Sequence, residues 1–170
     1  MSNAVNGTAT KKSLKQDLFE HPDFYAIDDL LNEEHKLIRS SIRQFVKKEI
    51  SPYIEDWAQN AHFPYEIVKK FGEVGAFGPT LPVEYGCGGL DYISYGIIMQ
   101  EIERGDSGMR STASVQGSLV MYPIYKFGNE AQRKNSYFRA SKGTFFVYFG
   151  LILLSYTLNL CTVLKYCALH

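Results

Sequence analysis

EIERGDSGMRSTASVQGSLVMYPIYKFGNEAQR, residues 101–133, is the stretch from which this chain is best read. A Gly-Asp-Ser-Gly turn at 105–108 precedes an arginine, Arg110, set among small hydroxyl residues. Asp106 or Ser107 can cap a helix here, because a side-chain oxygen accepts from the free amides of a first turn. On that helix Ser111, Ser114 and Ser118 share one face, and Arg110 lies one turn before Ser114. A cation in a first turn opposes the helix dipole. If Arg110 is partly buried it therefore needs an anion, supplied by a protein carboxylate or by a ligand. The alternative is a solvated Arg110, with the small residues marking a tight helix–helix contact.

Working outward, the neighbouring segments are also helical. Upstream, Asp91 is placed to cap an apolar helix carrying Ile93, Ile97, Ile98 and Ile102 and ending near Arg104. Before it, GPTLPVEYGCGGLD (78–91) is dense in glycine with two prolines, which reads as an ordered loop. Its glycines match no phosphate-binding signature. Earlier still, Asn32 precedes Glu33 and Glu34 and an apolar stripe of Ile38, Ile42, Phe45, Val46 and Ile50. Pro52 ends or kinks this helix, and Tyr53, Ile54 and Trp57 continue the stripe. A shorter helix follows Pro64 with Ile67, Val68 and Phe71. Downstream, Pro123 is expected to break the Ser/Ala-rich helix near Met121, and Asn129 to cap another from Glu130 to Lys142. The sum is an all-α bundle of helices joined by short connections.

The bulk numbers agree with one packed domain. The chain has 170 residues, 45% hydrophobic and 14% aromatic, with eighteen acidic residues against eighteen basic ones. Formal neutrality and the lack of a basic run give no reason to expect nucleic acid. Cys87, Cys161 and Cys167 form neither a metal spacing nor a disulfide framework, so no metal site is expected and a reducing compartment is the default. Residues 1–27 read as a disordered or loosely docked leader without an apolar signal-peptide core and without arginine. The compartment stays open: cytoplasm for a bacterial source, mitochondrial matrix for a eukaryotic one. Residues 143–164 carry no charge and are long enough to span a bilayer, though Ser155, Thr157, Asn159 and Thr162 dilute their second half.

Taken in order, the helix at 33–58, the loop PVEYGCGGL, the helix DYISYGIIMQEIERGDSG and the run MRSTASVQGSLVMYPIYKFGNEAQRK resemble the N-terminal helical domain of the acyl-CoA dehydrogenase family. The nearest branch is that of the glutaryl-CoA dehydrogenases, through Asp106 to Ser111 and Ser114 to Met121. The resemblance covers about residues 24–151 and rests on a long ordered series of motifs. It implies a domain at 28–142 and an FAD-dependent oxidoreductase that removes hydrogens from the α and β carbons of an acyl-CoA. In that branch the product is also decarboxylated to crotonyl-CoA. It further implies electron-transfer flavoprotein as electron acceptor and a homotetramer. Around the substrate's distal carboxylate it places Arg110, Ser111 and Ser114, with Glu103 as charge partner of Arg110. Arginine suits that task because its planar fork grips both carboxylate oxygens.

Beyond Leu151 the likeness stops. The family continues with a Thr-Glu-Pro-like segment that lines the flavin and opens a β-domain, where this chain reads Ile152, Leu153, Leu154. Residues 143–151 therefore read as an aborted start of that domain, in which Phe149, Gly150 and Leu151 would touch the flavin. Residues 152–170 read as an unrelated apolar tail, the mark of a frameshift or mis-joined gene model. The catalytic base is expected in the C-terminal bundle that this sequence lacks, so no catalytic residue is assigned and the chain is expected to be inactive alone. Glu101 and Glu103 are read as solvated rather than basic in function. Two other readings stand: a non-catalytic helical interaction module with a membrane-seeking tail, and a short-chain acyl-CoA oxidase.

Overall fold

A computed structural model describes residues 22–134. The described residues are helical and contain no strand. The helices are α1 (Glu33–Glu49), α2 (Ile54–Gln59), α3 (Tyr65–Glu73), α4 (Tyr92–Gly105), α5 (Ser107–Ser114) and α6 (Tyr122–Phe127), with a π-helical segment at Val115–Met121 between the last two. Short 3-10 turns at Ile27–Leu30 and Val83–Tyr85 precede α1 and interrupt the glycine-rich loop.

Helices α1, α4 and α5 and the one beginning at residue 130 start where a side chain can satisfy free amides, whereas α2, α3 and α6 have no side-chain cap. Asn32 accepts from the His35 N–H at 2.8 Å, Asp91 from Ser94 at 2.7 Å and Asp106 from Met109 at 2.8 Å. Asn129 and Gln132 exchange side-chain bonds with each other's amides, both at 2.9 Å, in a reciprocal capping box that opens the helix at 130–134. The remainder of the expected helix to Lys142 lies outside the described residues. So do residues 1–21 of the leader, the 143–151 segment and the apolar tail. No helix among the described residues is long and apolar enough to cross a membrane.

The core forms where α1 packs along α4 and α4 on α5. Val46 of α1 and Ile50 at its C-cap, Phe71 of α3, Ile102 of α4 and Met121 are almost wholly withdrawn from water. The expected stripes are found, with two exceptions: Ile93 is 53% and Tyr53 51% exposed. Beyond Pro52, Trp57 packs on the core and Tyr53 stacks against it at 5.6 Å. Gly105 permits the close α1–α4 crossing, since a Cβ there would meet Val46 Cγ1 at 2.5 Å.

Two expectations are corrected. Pro123 does not break the chain's helical path. The helix widens first, with the Tyr122 N–H bonding to Gly117 O five residues back, and α6 then carries the proline in its first turn. Proline is tolerated there because its missing N–H and its ring no longer confront an α-helical carbonyl four residues earlier. Glu101 is not solvated. It is fully buried, and Arg43 grips both its oxygens, Nε to Oε2 at 2.9 Å and Nη2 to Oε1 at 2.8 Å. Arg104 stands 3.7 Å from the same carboxylate. Burial of a carboxylate is tolerable only with such paired donors.

Candidate substrate-carboxylate site

The corner between α4 and α5 is one residue wide. Asp106 closes α4 by donating its N–H to Ile102 O at 3.0 Å and opens α5 with its carboxylate. Glu103 thus sits in the last turn of α4 and Arg110 in the first turn of α5. Both oppose the dipole of their own helix. They compensate each other across the corner: Arg110 Nε donates to Glu103 Oε2 at 2.6 Å, and Ser107 Oγ donates to Glu103 Oε1 at 2.5 Å. The Arg110 guanidinium first, then the Ser107 hydroxyl, hold the Glu103 carboxyl below the usual carboxylate range.

Arg110 is neither solvated nor enclosed; its side chain is 34% exposed. One nitrogen, Nη1, reaches Ser114 Oγ at 3.4 Å, while Ser114 Oγ donates to Ser111 O at 3.1 Å. Ser118 extends the row by donating to Ser114 O at 2.6 Å. With Nε on Glu103 and Nη1 on Ser114, the Nη2 donors have no protein acceptor among the described residues. The result is a partly exposed guanidinium held through Nε by Glu103 and through Nη1 beside the Ser114 hydroxyl.

The small residues divide between two settings. Ala113 is fully buried, and a Cβ on Gly117 would stand 3.2 Å from the Gly78 nitrogen, so Gly117 seats closely against the glycine-rich loop. Ser111 and Ser114 lie half-buried on the other side of α5, with Arg110. Past Ser118 the wall continues into an apolar recess of about 240 Å³, lined by Gly78, Leu81, Tyr92, Tyr95, Gly117 and Tyr122 among others.

The described residues do not fit a flavin by themselves. The apolar recess has no cation for a diphosphate, and the second cavity, between α1, α4 and the segment before α1, has its arginines engaged with carboxylates. Phe149, Gly150 and Leu151, named from the resemblance for that contact, lie outside the described residues. Among the described residues no cluster could hold a metal. Burial pushes the Cys87 thiol up to about 11, which favours its protonated form at neutral pH.

Three features escaped sequence reading: the Arg43–Glu101 pair, the His35–Asp91 contact at 2.9 Å, and the engagement of the segment before α1 by Arg39. The partners are 58, 56 and 11 residues apart. Only the placement of Arg39 and Arg43 one turn apart, off the apolar stripe of α1, was visible locally.

The described residues thus form an all-α domain with a partly exposed guanidinium at the α4–α5 corner. The chain belongs to the acyl-CoA dehydrogenase family: the sequence model described as "Acyl-CoA dehydrogenase, N-terminal domain" matches residues 32–144. It is 37% identical over 123 residues to a probable acyl-CoA dehydrogenase of Bacillus subtilis (strain 168), covering 71% of this chain and 32% of that protein. It is 34% identical over 128 residues to a glutaryl-CoA dehydrogenase of Desulfococcus multivorans, covering 74% of this chain and 33% of that protein. A crystal structure of a glutaryl-CoA dehydrogenase from Mycobacterium smegmatis in complex with FADH2 is similar at a TM-score of 0.68 and 41% identity, over 72% of this chain and 31% of that one. The chain spans about a third of the length of these relatives.

Proposed function

We propose that this chain is the substrate-recognising helical part of an FAD-dependent acyl-CoA dehydrogenase acting on a short dicarboxylyl-CoA, glutaryl-CoA by preference. In the full reaction the acyl chain is dehydrogenated between its α and β carbons and decarboxylated to crotonyl-CoA. The observation that carries this reading is the Nη2 group of Arg110, which has no protein acceptor among the described residues, on a guanidinium whose Nη1 lies at Ser114 Oγ, one turn along α5. A carboxylate arriving there meets a preoriented cation, because Glu103 already fixes the Nε side. The Ser114 hydroxyl, now donating to Ser111 O, needs only to rotate to donate to the ligand.

The chemistry itself needs a positioned base and a flavin. FAD, when bound, supplies the hydride acceptor, with electron-transfer flavoprotein as the onward partner in a homotetrameric assembly. Neither described glutamate near the site suits the base: Glu101 is committed to Arg43 and Glu103 to Arg110. We therefore place the chain's own contribution in recognition and orientation. Absorbance between about 350 and 500 nm, followed through a glutaryl-CoA challenge of the purified chain with added FAD, tests this division. Glutaryl-CoA binding without flavin bleaching is the expected result. Bleaching would overturn it and make the short chain an enzyme in its own right.

A further inference from the structure

Arg43 and Arg110 both meet a glutamate of α4 through Nε, and the two contacts differ in the use of one oxygen. Arg43 takes Glu101 with both nitrogens of one edge, Nε to Oε2 at 2.9 Å and Nη2 to Oε1 at 2.8 Å, so the fork is closed. Arg110 takes Glu103 through Nε alone, at 2.6 Å. The oxygen that would close this second fork, Oε1, accepts instead from the Ser107 hydroxyl at 2.5 Å. Nε and Nη2 lie on the same edge of a guanidinium, and a carboxylate fills that edge when nothing else claims its second oxygen.

The corner at Asp106 produces the difference. Ser107 is the first residue of α5 and Glu103 lies four residues before it in the last turn of α4, so the hydroxyl faces the carboxylate across the corner. A hydrogen bond to an ionised carboxylate is about twice as strong as a neutral one, which lets Ser107 compete with Nη2 for Oε1. Ser107 is exposed and so is Glu103, with 46% of its side chain in solvent. Packing therefore does not fix the carboxylate, and it is free to turn once the hydroxyl is removed.

We propose that Ser107 is a positioning residue that sets specificity at the Arg110 site: by holding Glu103 Oε1 it restricts that carboxylate to Nε and keeps the Nη2 donors open for the distal carboxylate of a dicarboxylyl-CoA. The inference rests on the reading of Arg110 as the group that receives that carboxylate. Without the hydroxyl, Glu103 turns into the fork as Glu101 does on Arg43, and the ligand must compete with an internal carboxylate for Nη2. Its apparent affinity is then the intrinsic one reduced by the fraction of molecules with an open fork. An acyl-CoA without a distal carboxylate makes no such contact and is bound as before.

Two measurements on the full chain test it. The first needs no ligand: exchange of the Arg110 Nη2 protons, followed by NMR of isotope-labelled arginine side chains, with Arg43 as the internal example of a closed fork. Ser107→Ala should slow these protons toward the behaviour of Arg43, while Ser107→Thr, which keeps a hydroxyl, should leave them as in the native chain. Unchanged Arg110 signals in Ser107→Ala, or equal slowing in both variants, would overturn the proposal. The second is the pair of affinities for glutaryl-CoA and butyryl-CoA. Ser107→Ala should cut the preference for glutaryl-CoA about tenfold, the effect of losing one charge-assisted bond, with butyryl-CoA affinity and the thermal melt unaltered. Added to Glu103→Ala, the same substitution should change nothing, because Ser107 acts through Glu103. An equal loss in both backgrounds would make Ser107 a direct ligand contact and overturn its positioning role. A native preference that survives Ser107→Ala sinks that role alone; no preference in the native chain sinks the Arg110 reading and the role together.

Discussion

At the residue scale, the most telling pairs are those that local rules disfavour. Glu103 at a helix C-terminus and Arg110 at a helix N-terminus each oppose a dipole, and the one-residue corner at Asp106 lets them cancel. Asp91 illustrates a different balance. The Ser94 backbone N–H, then its hydroxyl, then His35 draw the Asp91 carboxyl down to about 2. An unfolded aspartate titrates near 3.9, so between roughly pH 4 and pH 2 the unfolded chain binds the extra proton. Stability from this group is therefore complete above about pH 4 and is lost as pH falls toward about 2. Urea midpoints measured across that window should fall less steeply for Asp91→Asn than for the native chain. The buried Arg43–Glu101 pair makes a stronger claim. Arg43→Met strands a buried carboxylate and is expected to cost about 3–5 kcal/mol, much of it recovered by adding Glu101→Leu. Chemical denaturation of the two variants decides it; equal losses in both would mean the pair is not the cause.

At the element scale, caps and stripes were plain in the sequence while the changes of helix type were not. Asn32, Asp91, Asp106 and Asn129 begin helices because each is a short polar residue just before an apolar period, a signal carried within four residues. The π-helical turn at Val115–Met121 has no such local mark. It follows from accommodating Pro123 while Gly117 seats against Gly78, a contact 39 residues away in sequence. Pro123 was accordingly misread as a break. Glu101 was misread as solvated for the same reason, since its partner lies on α1. Crossing geometry yields an element-level prediction. Gly105→Ala drives a methyl into Val46 and should cost about 1–3 kcal/mol, with Val46→Ala relieving part of it in the double variant. Removal of the α5 cap by Asp106→Ala should cost about 1 kcal/mol and loosen the Glu103–Arg110 corner together with it. Thermal melts measure the first term, and exchange at the Met109 and Arg110 amides the second.

At the scale of the whole molecule, the described residues form a helical domain whose family the sequence order already carried, through a long series of matching segments rather than one motif. The residues proposed for the Arg110 site were named from the same resemblance. Their geometry was not legible, because whether Arg110 is held or free depends on how sharply α4 turns into α5. The chain covers about a third of its relatives' length. The most direct measurement is the affinity of the full chain for glutaryl-CoA and for butyryl-CoA, which lacks the distal carboxylate, compared with the same pair for Arg110→Gln. A charge-assisted contact contributes about 1.5–3 kcal/mol, so the native chain should prefer glutaryl-CoA by roughly tenfold to a hundredfold and the variant should lose that preference. Equal affinities in the native chain, or a preference that survives Arg110→Gln, would contradict the account.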